Sequence, residues 1–397
     1  MPLLFYRALN RLVPDKSRKI TGIAPVCENG KDVKVITRHI PSNYGSLLQS
    51  IATLEVLQSL GCDARIIDYR RSDDRAWLKV CSEANNKHDN KLKQLAYIAI
   101  RYPIEKFAER RFDRMRSRYL RATGVMTTHE QLAGLNADIF LTGSDQVWGP
   151  MVDGNPDSAY FLDFAHGAVR RAYSASFGRT EFTDATVTQY KKLLGNYDKI
   201  AVREHSAVDK LMAWGVDSCI GKVLDPVLLL AKEKWSNLLG LDVMPAENKG
   251  RPYVLIYELH NNRSLDIYAQ ELAKHTGMEL LRVSPFAHHC GRGGKFELCP
   301  DLKRFVKLVA DAECVVTDSF HGTCIAVTFH KKFVDILPGA TSTRNQSLLE
   351  TLGLTDRIVT DFKDYDLPMT PIDYKKAEAK LYGARDYSMG VLKLLLE

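Results

Sequence analysis

Short apolar runs alternate with helical patterns along most of the chain, beginning near residue 33. The first run, VKVITRHI at residues 33–40, is rich in β-branched side chains and typical of a strand. SLLQSIATLEVLQSLG at residues 46–61 then places its leucines on one helical side and ends at a glycine. ARIIDY at residues 64–69 is strand-like again. This order predicts a βαβ unit of a parallel sheet.

The alternation falls into two series. ADIFLTG, RAYSASFG and KIAVRE continue the first series after an interruption by charged helical patterns, and a second series starts at RPYVLIYEL and runs through ELLRVS, CVVTDS and FVDIL. A chain of 397 residues with 45% hydrophobic side chains is also too long for one core. We predict an N-terminal α/β domain over residues 1–235 with a basic helical insert at about 70–135, a C-terminal α/β domain over 236–373, and a final helix over 374–397.

The first residues bear on cellular location. MPLLFYRALNRLVPDKSRK has too short an apolar stretch for a secretion signal, and no run reaches the roughly 18 to 20 apolar residues of a membrane span. Eight cysteines without a CxxC pair indicate a reducing compartment, so we expect a cytoplasmic protein. The leucines and basic residues of this start also predict a short amphipathic helix, which either lies on an anionic membrane surface or docks on its own protein.

The net charge of +7 is partly concentrated at residues 101–121, where eight Lys or Arg accompany three acids. A nucleic-acid stripe is one interpretation. The near-helical spacing of Tyr102, Phe107, Phe112 and Tyr119 favours a solvated helix instead, and we expect no nucleic-acid partner. Attraction to an anionic sugar polymer or to a lipid-linked phosphate stays open.

A metal site is considered at AHHCGRGGKFELC, which contains His288, His289, Cys290 and Cys299. Their spacing matches no standard zinc pattern, and glycine-rich loops collect such residues by chance. We predict no metal ligands here.

Polar residues follow several predicted strands, where parallel sheets bind ligands. VVTDSFHGT at 315–323 delivers Ser319, His321, Gly322 and Thr323. TGSDQVWGP at 142–150 delivers Ser144, Asp145 and Gln146, AVREHS delivers Arg203, and YSASFG supplies Ser176 and Gly178. PSNYGSLL places Asn43, Tyr44 and Gly45 after the first strand, where they are candidates for an acceptor pocket.

Each candidate also has a purely structural explanation. His321 could be a hydrogen-bonded core histidine, Asp145 a helix cap, and Arg203 half of a surface salt bridge. Asn43 could likewise cap the following helix. The strand-end position of His321 favours a functional role, and a guanidinium such as that of Arg203 is well shaped to bind a carboxylate or phosphate.

Six motifs in order resemble the polysaccharide pyruvyltransferase family over roughly residues 33–360. They are NYGSLLQSIATLEVLQSLGCDARIIDYR, DIFLTGSDQVW, YFLDF with YSASFG, AVREHS, VLDPVLLL followed by Trp235, and VVTDSFHGTCIAVTFHKKFV. Each motif alone is weak, but the ordered set is specific. The resemblance implies two Rossmann-like domains that face each other in a GT-B-like arrangement, with the final helix crossing back to the first domain.

The resemblance also implies an activity: transfer of the pyruvyl group of phosphoenolpyruvate onto two hydroxyls of a sugar, with release of phosphate. His321 and Arg203 correspond to the histidine and arginine of the family's HG and RE motifs. We assign His321 to phosphate contact and proton transfer, Arg203 to the phosphate or carboxylate, and Asp145 to the acceptor hydroxyl. The acceptor could be lipid-linked, and we expect no metal or cofactor besides the donor.

Two other functions remain open from the residues. A glycosyltransferase that uses a nucleotide sugar would need a carboxylate for the ribose in the second domain, for which Glu258 is the early candidate. A non-catalytic protein of envelope-polysaccharide assembly is the other, although His321 and Arg203 give no sign of an inactive site.

Overall fold

The computed structural model describes residues 30–151, 154–178, 181–244, 251–337, 339 and 343–397. The predicted amphipathic helix at the N-terminus lies outside these residues. None of the helices in the described ranges combines the length and apolarity of a membrane span.

Within these ranges the strands form two wholly parallel sheets, one in each half of the chain. The first sheet has the order β2-β1-β3-β4-β5-β6 and the second β11-β10-β7-β8-β9. The strands of the first are β1 Asp32–Ile36, β2 Asp63–Ile66, β3 Ile139–Thr142, β4 Val169–Ala175, β5 Lys199–Val202 and β6 Cys219–Lys222. Those of the second are β7 Tyr253–Tyr257, β8 Glu279–Ser284, β9 Lys295–Leu298, β10 Cys314–Thr317 and β11 Lys332–Asp335.

Helices connect the strands of both sheets. In the first half they are α1 Tyr44–Ser59, α2 Ala76–Lys87, α3 Lys91–Tyr119, α4 His129–Ala133, α5 Asp184–Leu194, α6 His205–Ala213, α7 Pro226–Leu229 and α8 Lys232–Leu239. In the second half they are α9 Arg263–Thr276, α10 Leu302–Asp311, α11 Phe320–Thr328, α12 Thr343–Leu352 and α13 Tyr374–Leu396. The two parallel α/β units agree with the two series in the sequence.

Strand burial explains which strands the pattern predicts. Every residue of β3, β7 and β10 is buried, as expected for central parallel strands covered by helices on both sides. The pattern does not predict the edge strands β6 and β9, whose residues are only partly buried or exposed. An edge strand buries fewer side chains, so its hydrophobic signal is weaker.

The final helix α13 packs on the first sheet's domain. The Ser388 hydroxyl accepts a hydrogen bond from the Leu224 amide at 2.9 Å. The Lys199 ammonium at the start of β5 donates to the Leu394 carbonyl at 3.0 Å. Residues 374–396 therefore lie after the second sheet in sequence and against the first in space.

The helix α1 joins the two domains through its first residue, Tyr44. The Tyr44 ring is fully buried and stacks on Phe305 of α10, with ring centroids 4.2 Å apart. Its hydroxyl donates to the Pro300 carbonyl at 2.5 Å. Phe112 of α3 packs against the same ring at 5.0 Å, so Tyr44 connects the insert, the first domain and the second.

We expect Tyr44→Ala to lower the free energy of unfolding by about 3–5 kcal/mol, because it removes a buried ring at a domain interface. Tyr44→Phe should cost about 1–3 kcal/mol, since it leaves the Pro300 carbonyl without its donor. Urea unfolding measures both. Tyr382→Ala, on an exposed part of α13, is the control and should change stability little. Equal effects of the Tyr44 and Tyr382 changes would contradict the interface described here.

Candidate functional site

The carboxyl ends of strands from both sheets bring a group of buried ionisable side chains together. β3 is followed by Ser144 and Asp145, and β5 by Arg203 and Glu204. From the second sheet, β10 is followed by the start of α11, which carries His321. These side chains meet between the two domains.

Asp225 holds the two halves of the site together. Its Oδ2 lies 2.8 Å from Arg203 Nη1 and 3.4 Å from His321 Nε2. The Ser144 hydroxyl donates to the same oxygen at 2.6 Å, and Oδ1 accepts from the Val227 amide at 3.0 Å, which caps α7. Burial raises the pKa of Asp225, but the nearby His321 and Arg203 lower it more, so the net pKa lies below the usual range. The carboxylate is ionised.

Asp225 is not among the site residues that the sequence predicts. It stands in the quoted motif VLDPVLLL, where an aspartate before a proline is fully explained as a helix N-cap. The structure shows that the same carboxylate has a second task, because its other oxygen faces Arg203 and His321.

Asp145 lies next to Arg203 in a strained backbone conformation. Its φ is 78°, in the left-handed region that side chains other than glycine seldom adopt. Its carboxylate accepts from the Ser46 hydroxyl at 3.0 Å and lies 3.5 Å from Arg203 Nη2. No helix begins at Asp145 in the described chain, so it is not a helix cap. Burial raises the pKa of Asp145, but Arg203, His321 and Arg344 lower it more, and the net pKa lies below the usual value.

Arg203 is enclosed by acids and one ring. Besides Asp225 and Asp145, Glu204 Oε2 lies 3.9 Å from its Nε, and the guanidinium carbon is 4.6 Å from the centre of the Phe320 ring. Because Arg203 is buried, it is not half of a surface salt bridge.

Glu204 accepts from the Ser176 hydroxyl at 2.8 Å, and burial raises the pKa of Glu204. Ser176 also accepts from the Gly178 amide at 3.1 Å.

A second buried arginine, Arg344, enters from the first turn of α12. With the Gln146 carboxamide oriented by its hydrogen bonds, Oε1 accepts from Arg344 Nη1 at 2.9 Å. Burial and the neighbouring Arg203 together lower the pKa of Arg344 to about 10, although Asp145 opposes them. Arg344 is not predicted from the sequence, because no strand or motif marks its polar segment and only tertiary packing brings it to the site.

His321 is held by close contacts on both sides. Ser319 caps α11 by accepting from the Gly322 amide at 3.2 Å. A Cβ at Gly45 would lie 2.2 Å from His321 Nδ1, so the first domain touches the imidazole through a residue that must lack a side chain. A Cβ at Gly322 would lie 2.6 Å from Thr317 Oγ1. At both glycines the backbone therefore lies so close to a neighbouring side chain that a Cβ would not fit.

Thr323 and Asp335 support the site from behind. The fully buried Thr323 hydroxyl donates to Asp335 Oδ2 at 2.8 Å, and Asn345 Nδ2 donates to the same oxygen at 2.7 Å. Asn345 neighbours Arg344, so this network positions α12 against α11. Burial raises the pKa of Asp335 to about 7. The Thr323 hydroxyl thus bonds to a protein group, and its assignment as a substrate contact stays a prediction.

The three candidate acceptor residues at the start of α1 have different surroundings in the structure. Asn43 caps α1 through a hydrogen bond from the Gly45 amide at 2.8 Å. The Tyr44 ring is buried in the domain interface and offers no surface to an acceptor. Of this group, Gly45 contacts the site, through His321.

Glu258 lies in a separate ion-pair cluster of the second domain. It is buried, 3.0 Å from Arg282 Nη1 and 3.0 Å from Arg292 Nη1. Burial raises the pKa of Glu258 to about 7. Both carboxylate oxygens are thus bonded within the protein.

The histidine and cysteine segment after β8 is divided among different partners. His289 Nδ1 lies 3.0 Å from the Ser284 hydroxyl, and the Cys299 thiol lies 3.3 Å from the Pro285 carbonyl. In the part of the chain that the structure describes, no three His, Cys, Asp or Glu side chains are arranged to hold a metal ion.

The arrangement is suited to an anionic ligand that needs a proton. Arg203 Nη2, Arg344 Nε and His321 Nε2 are buried and make no hydrogen bond to the described residues. Two guanidinium groups and one imidazole can bind phosphate and carboxylate oxygens, and an imidazole can also donate or accept a proton.

A family model described as polysaccharide pyruvyl transferase matches residues 43–337. No curated protein is significantly similar to the chain.

The solved structures that are similar to this chain are distant in sequence. The UDP-GlcNAc 2-epimerase of Neisseria meningitidis, bound to UDP-GlcNAc, is 14% identical with a TM-score of 0.51, and the match covers 92% of this chain and 99% of that one. The UDP-N-acetylglucosamine 2-epimerase of Rickettsia bellii is 15% identical with a TM-score of 0.42, over 90% and 98% of the two chains. The Thermobaculum terrenum O-GlcNAc transferase is 14% identical with a TM-score of 0.43, over 100% and 71%. The two facing domains are GT-B-like, as the sequence resemblance implies.

Asp335→Asn should flatten the pH dependence of stability. The pKa of Asp335 is raised from its ordinary value of 3.8 to about 7. The folded protein thus binds this proton more tightly than the unfolded chain does. The resulting stability is fully present at pH values below the unfolded pKa of 3.8 and is lost as the pH rises through about 7. We expect wild-type unfolding free energy to fall by roughly 2–4 kcal/mol between about pH 4 and pH 8 from this group.

Urea unfolding across this pH range tests the prediction, with the exposed Asp242→Asn as the control. The control should keep the wild-type pH profile. If Asp335→Asn keeps it as well, Asp335 does not carry the proton.

Proposed function

We propose that this chain, which belongs to the polysaccharide pyruvyl transferase family, transfers the pyruvyl group of phosphoenolpyruvate onto two hydroxyls of a sugar. The product is a pyruvate ketal on a cell-surface polysaccharide or its precursor, and phosphate is released. The observation that carries the proposal is the convergence of Arg203, Arg344 and His321 in a buried site between the domains.

The charges of the donor match this site. Phosphoenolpyruvate carries a phosphate and a carboxylate, which two guanidinium groups can bind separately. The carboxylates Asp145 and Asp225 keep Arg203 charged despite its burial, since they raise its pKa. They also orient it, because Asp225 accepts from Nη1 and Asp145 lies 3.5 Å from Nη2, which makes no hydrogen bond to the described residues.

Ketal formation requires a defined movement of two protons. The methylene carbon gains one proton and becomes a methyl group, while the first sugar hydroxyl bonds to the central carbon. The bond from that carbon to the phosphate oxygen then breaks, and the second hydroxyl bonds in its place. The two sugar hydroxyls each lose one proton; one of these protons ends on the new methyl group and the other on the released phosphate.

We assign the proton transfers to His321 and Asp145. His321 Nε2 lies on the Asp225 side, where it would contact the phosphate and move a proton to the leaving group or to the methylene carbon. Burial raises the pKa of Asp145 but Arg203 lowers it more, so Asp145 is ionised and in this assignment accepts the proton of an acceptor hydroxyl. Ser46 fixes the Asp145 carboxylate through its hydroxyl.

The nucleotide-sugar alternative gains no support from Glu258. The carboxylate that would bind a ribose is 1% exposed and paired with Arg282 and Arg292. The similar fold of the Neisseria epimerase does not decide between donors.

Donor binding tests the two arginines. Because Arg203→Gln alone would leave Asp225 buried and unpaired, we choose the double variant Arg203→Gln/Asp225→Asn, together with Arg344→Gln. Phosphoenolpyruvate at about 100 times its dissociation constant should stabilise the wild type by about 2.7 kcal/mol, seen as a thermal shift of several degrees. Both variants should bind it about tenfold to a hundredfold more weakly, because each removes a charge-assisted contact.

The matched control is Arg282→Gln/Glu258→Gln, which neutralises a buried ion pair outside the site. It should keep the wild-type affinity for phosphoenolpyruvate. Stabilisation of the wild type by UDP-GlcNAc and not by phosphoenolpyruvate would show that the proposed donor is wrong. Stabilisation by neither ligand would favour the non-catalytic alternative.

His321→Gln should reduce the turnover of phosphoenolpyruvate by about 10²- to 10⁴-fold, the usual contribution of a proton-transferring group. Phosphate release is measured over a panel of sugars with paired hydroxyls. His289→Gln, a buried histidine of the second domain outside the site, is the control and should retain turnover. Wild-type turnover in His321→Gln would remove His321 from the chemistry.

A further inference from the structure

The long helix α3 of the basic insert has an exposed face whose composition is unusual for a protein surface. We call it the α3 outer face. Its first part is apolar and its last part basic. The apolar residues are Leu92, Leu95, Ala96, Ala99, Ile100, Pro103 and Phe107, and the basic ones are Arg110, Arg114 and Arg118, all exposed.

These residues lie on one side of the helix because they recur every three or four positions, close to the helical repeat. The exposure of the apolar part is large: 76% for Leu92, 64% for Leu95 and 67% for Ile100. Contiguous apolar surface of this kind marks an interaction site in a soluble protein.

Aromatic and aliphatic side chains of the neighbouring helix extend this surface. Trp77 of α2 is 50% exposed and packs edge-on against Tyr102 of α3, with ring centroids 5.2 Å apart. Leu78 beside it is 43% exposed. The apolar surface therefore spans both helices of the insert.

The acids of α3 face away from this surface or lie at its margin. Glu105 is buried and pairs with Lys79 at 3.0 Å and Arg101 at 2.7 Å. Asp113 pairs with Arg116 at 2.9 Å. The α3 outer face itself carries only positive charges, so its electrostatic complement is an anionic surface.

The basic end includes a small concave site. A cavity of about 100 Å³ is lined by Arg111, Arg114, Met115, Arg118, Tyr119 and Asp301. Three arginines outweigh the one aspartate, so the cavity favours an anionic group the size of a phosphate. It lies at the arginine end of the α3 outer face.

We propose that the α3 outer face binds the surface of a membrane that contains anionic phospholipids. The apolar part would enter the boundary between head groups and acyl chains, and the arginines would bind lipid phosphates. An apolar stripe with adjacent basic residues is the combination that interfacial helices use. This inference does not depend on the donor or on pyruvyl transfer.

A second copy of the chain is a poorer occupant of the same surface. In a symmetric dimer the α3 outer face would meet itself, so arginines would lie against arginines or against the apolar part of the partner. Neither arrangement supplies a carboxylate to the α3 arginines that the dimer would bury, and burying unpaired charges is costly.

The position of α3 links this surface to the interdomain site. Arg116 donates to the Ile40 carbonyl at 2.8 Å, after β1, and Arg111 donates to the Cys299 carbonyl at 3.2 Å, in the second domain. The helix that carries the α3 outer face therefore contacts both domains.

Vesicle flotation with the full-length chain tests the proposal. Phosphatidylcholine vesicles with phosphatidylglycerol should bind the protein, whereas pure phosphatidylcholine vesicles should bind it much less, and added salt should weaken binding. Arg110→Gln/Arg114→Gln/Arg118→Gln should reduce binding on the order of a hundredfold. Leu92→Ser/Leu95→Ser/Ile100→Ser should reduce it at least about tenfold.

Two control variants match these changes elsewhere on the surface. Lys191→Gln/Lys192→Gln/Lys274→Gln removes the same net charge, and Met212→Ser/Val243→Ser/Ile267→Ser removes exposed apolar groups. Both should bind like the wild type. All variants keep residues 1–29, so any vesicle binding by that segment is the same in each of them. If the α3 variants bind vesicles as well as the wild type does, the proposal is overturned. It is also overturned if the wild type binds no vesicles. A wild-type dimer in light scattering that the leucine variant converts to monomer would also overturn it and assign the surface to a second copy.

Discussion

The bonds of one buried carboxylate determine how the site is assembled. Asp225 is almost completely removed from water, yet it is ionised because Arg203 and His321 lie beside it. A buried charge is tolerated only when partners replace its lost hydration. Arg203 comes from the first domain and His321 from the second, so the same charge that would otherwise oppose folding favours the packed arrangement of the two domains.

The segment at residues 43–45 shows how closely domain packing and the site are related. Asn43 fixes the start of α1, Tyr44 inserts its ring into the second domain, and Gly45 leaves room for the imidazole of His321. Three adjacent residues therefore serve the helix, the interface and the site in turn. Tyr44 and Gly45, at the start of α1, therefore shape the site through domain packing and through backbone contact with His321.

Much of the fold was predictable from the sequence because buried parallel strands have continuous apolar runs and their helices have regular repeats. His321, Arg203 and Asp145 could each be proposed as site residues because each follows a parallel strand, where ligands bind, although the strands belong to two different sheets. Arg344 could not, since its approach depends on how α12 packs. The second task of Asp225 was concealed by its capping role, and the burial of Tyr44 depends on a domain contact that periodicity does not report.

The contact between Gly45 and His321 makes the geometry of the site depend on the packing of the two domains. A rigid movement of one domain away from the other would separate the imidazole from Gly45 and Asp225 at once. Arg203 would keep its ion pair with Asp225 but lose the Phe320 ring of α11. The cluster of charges is therefore complete only while the two domains are packed together.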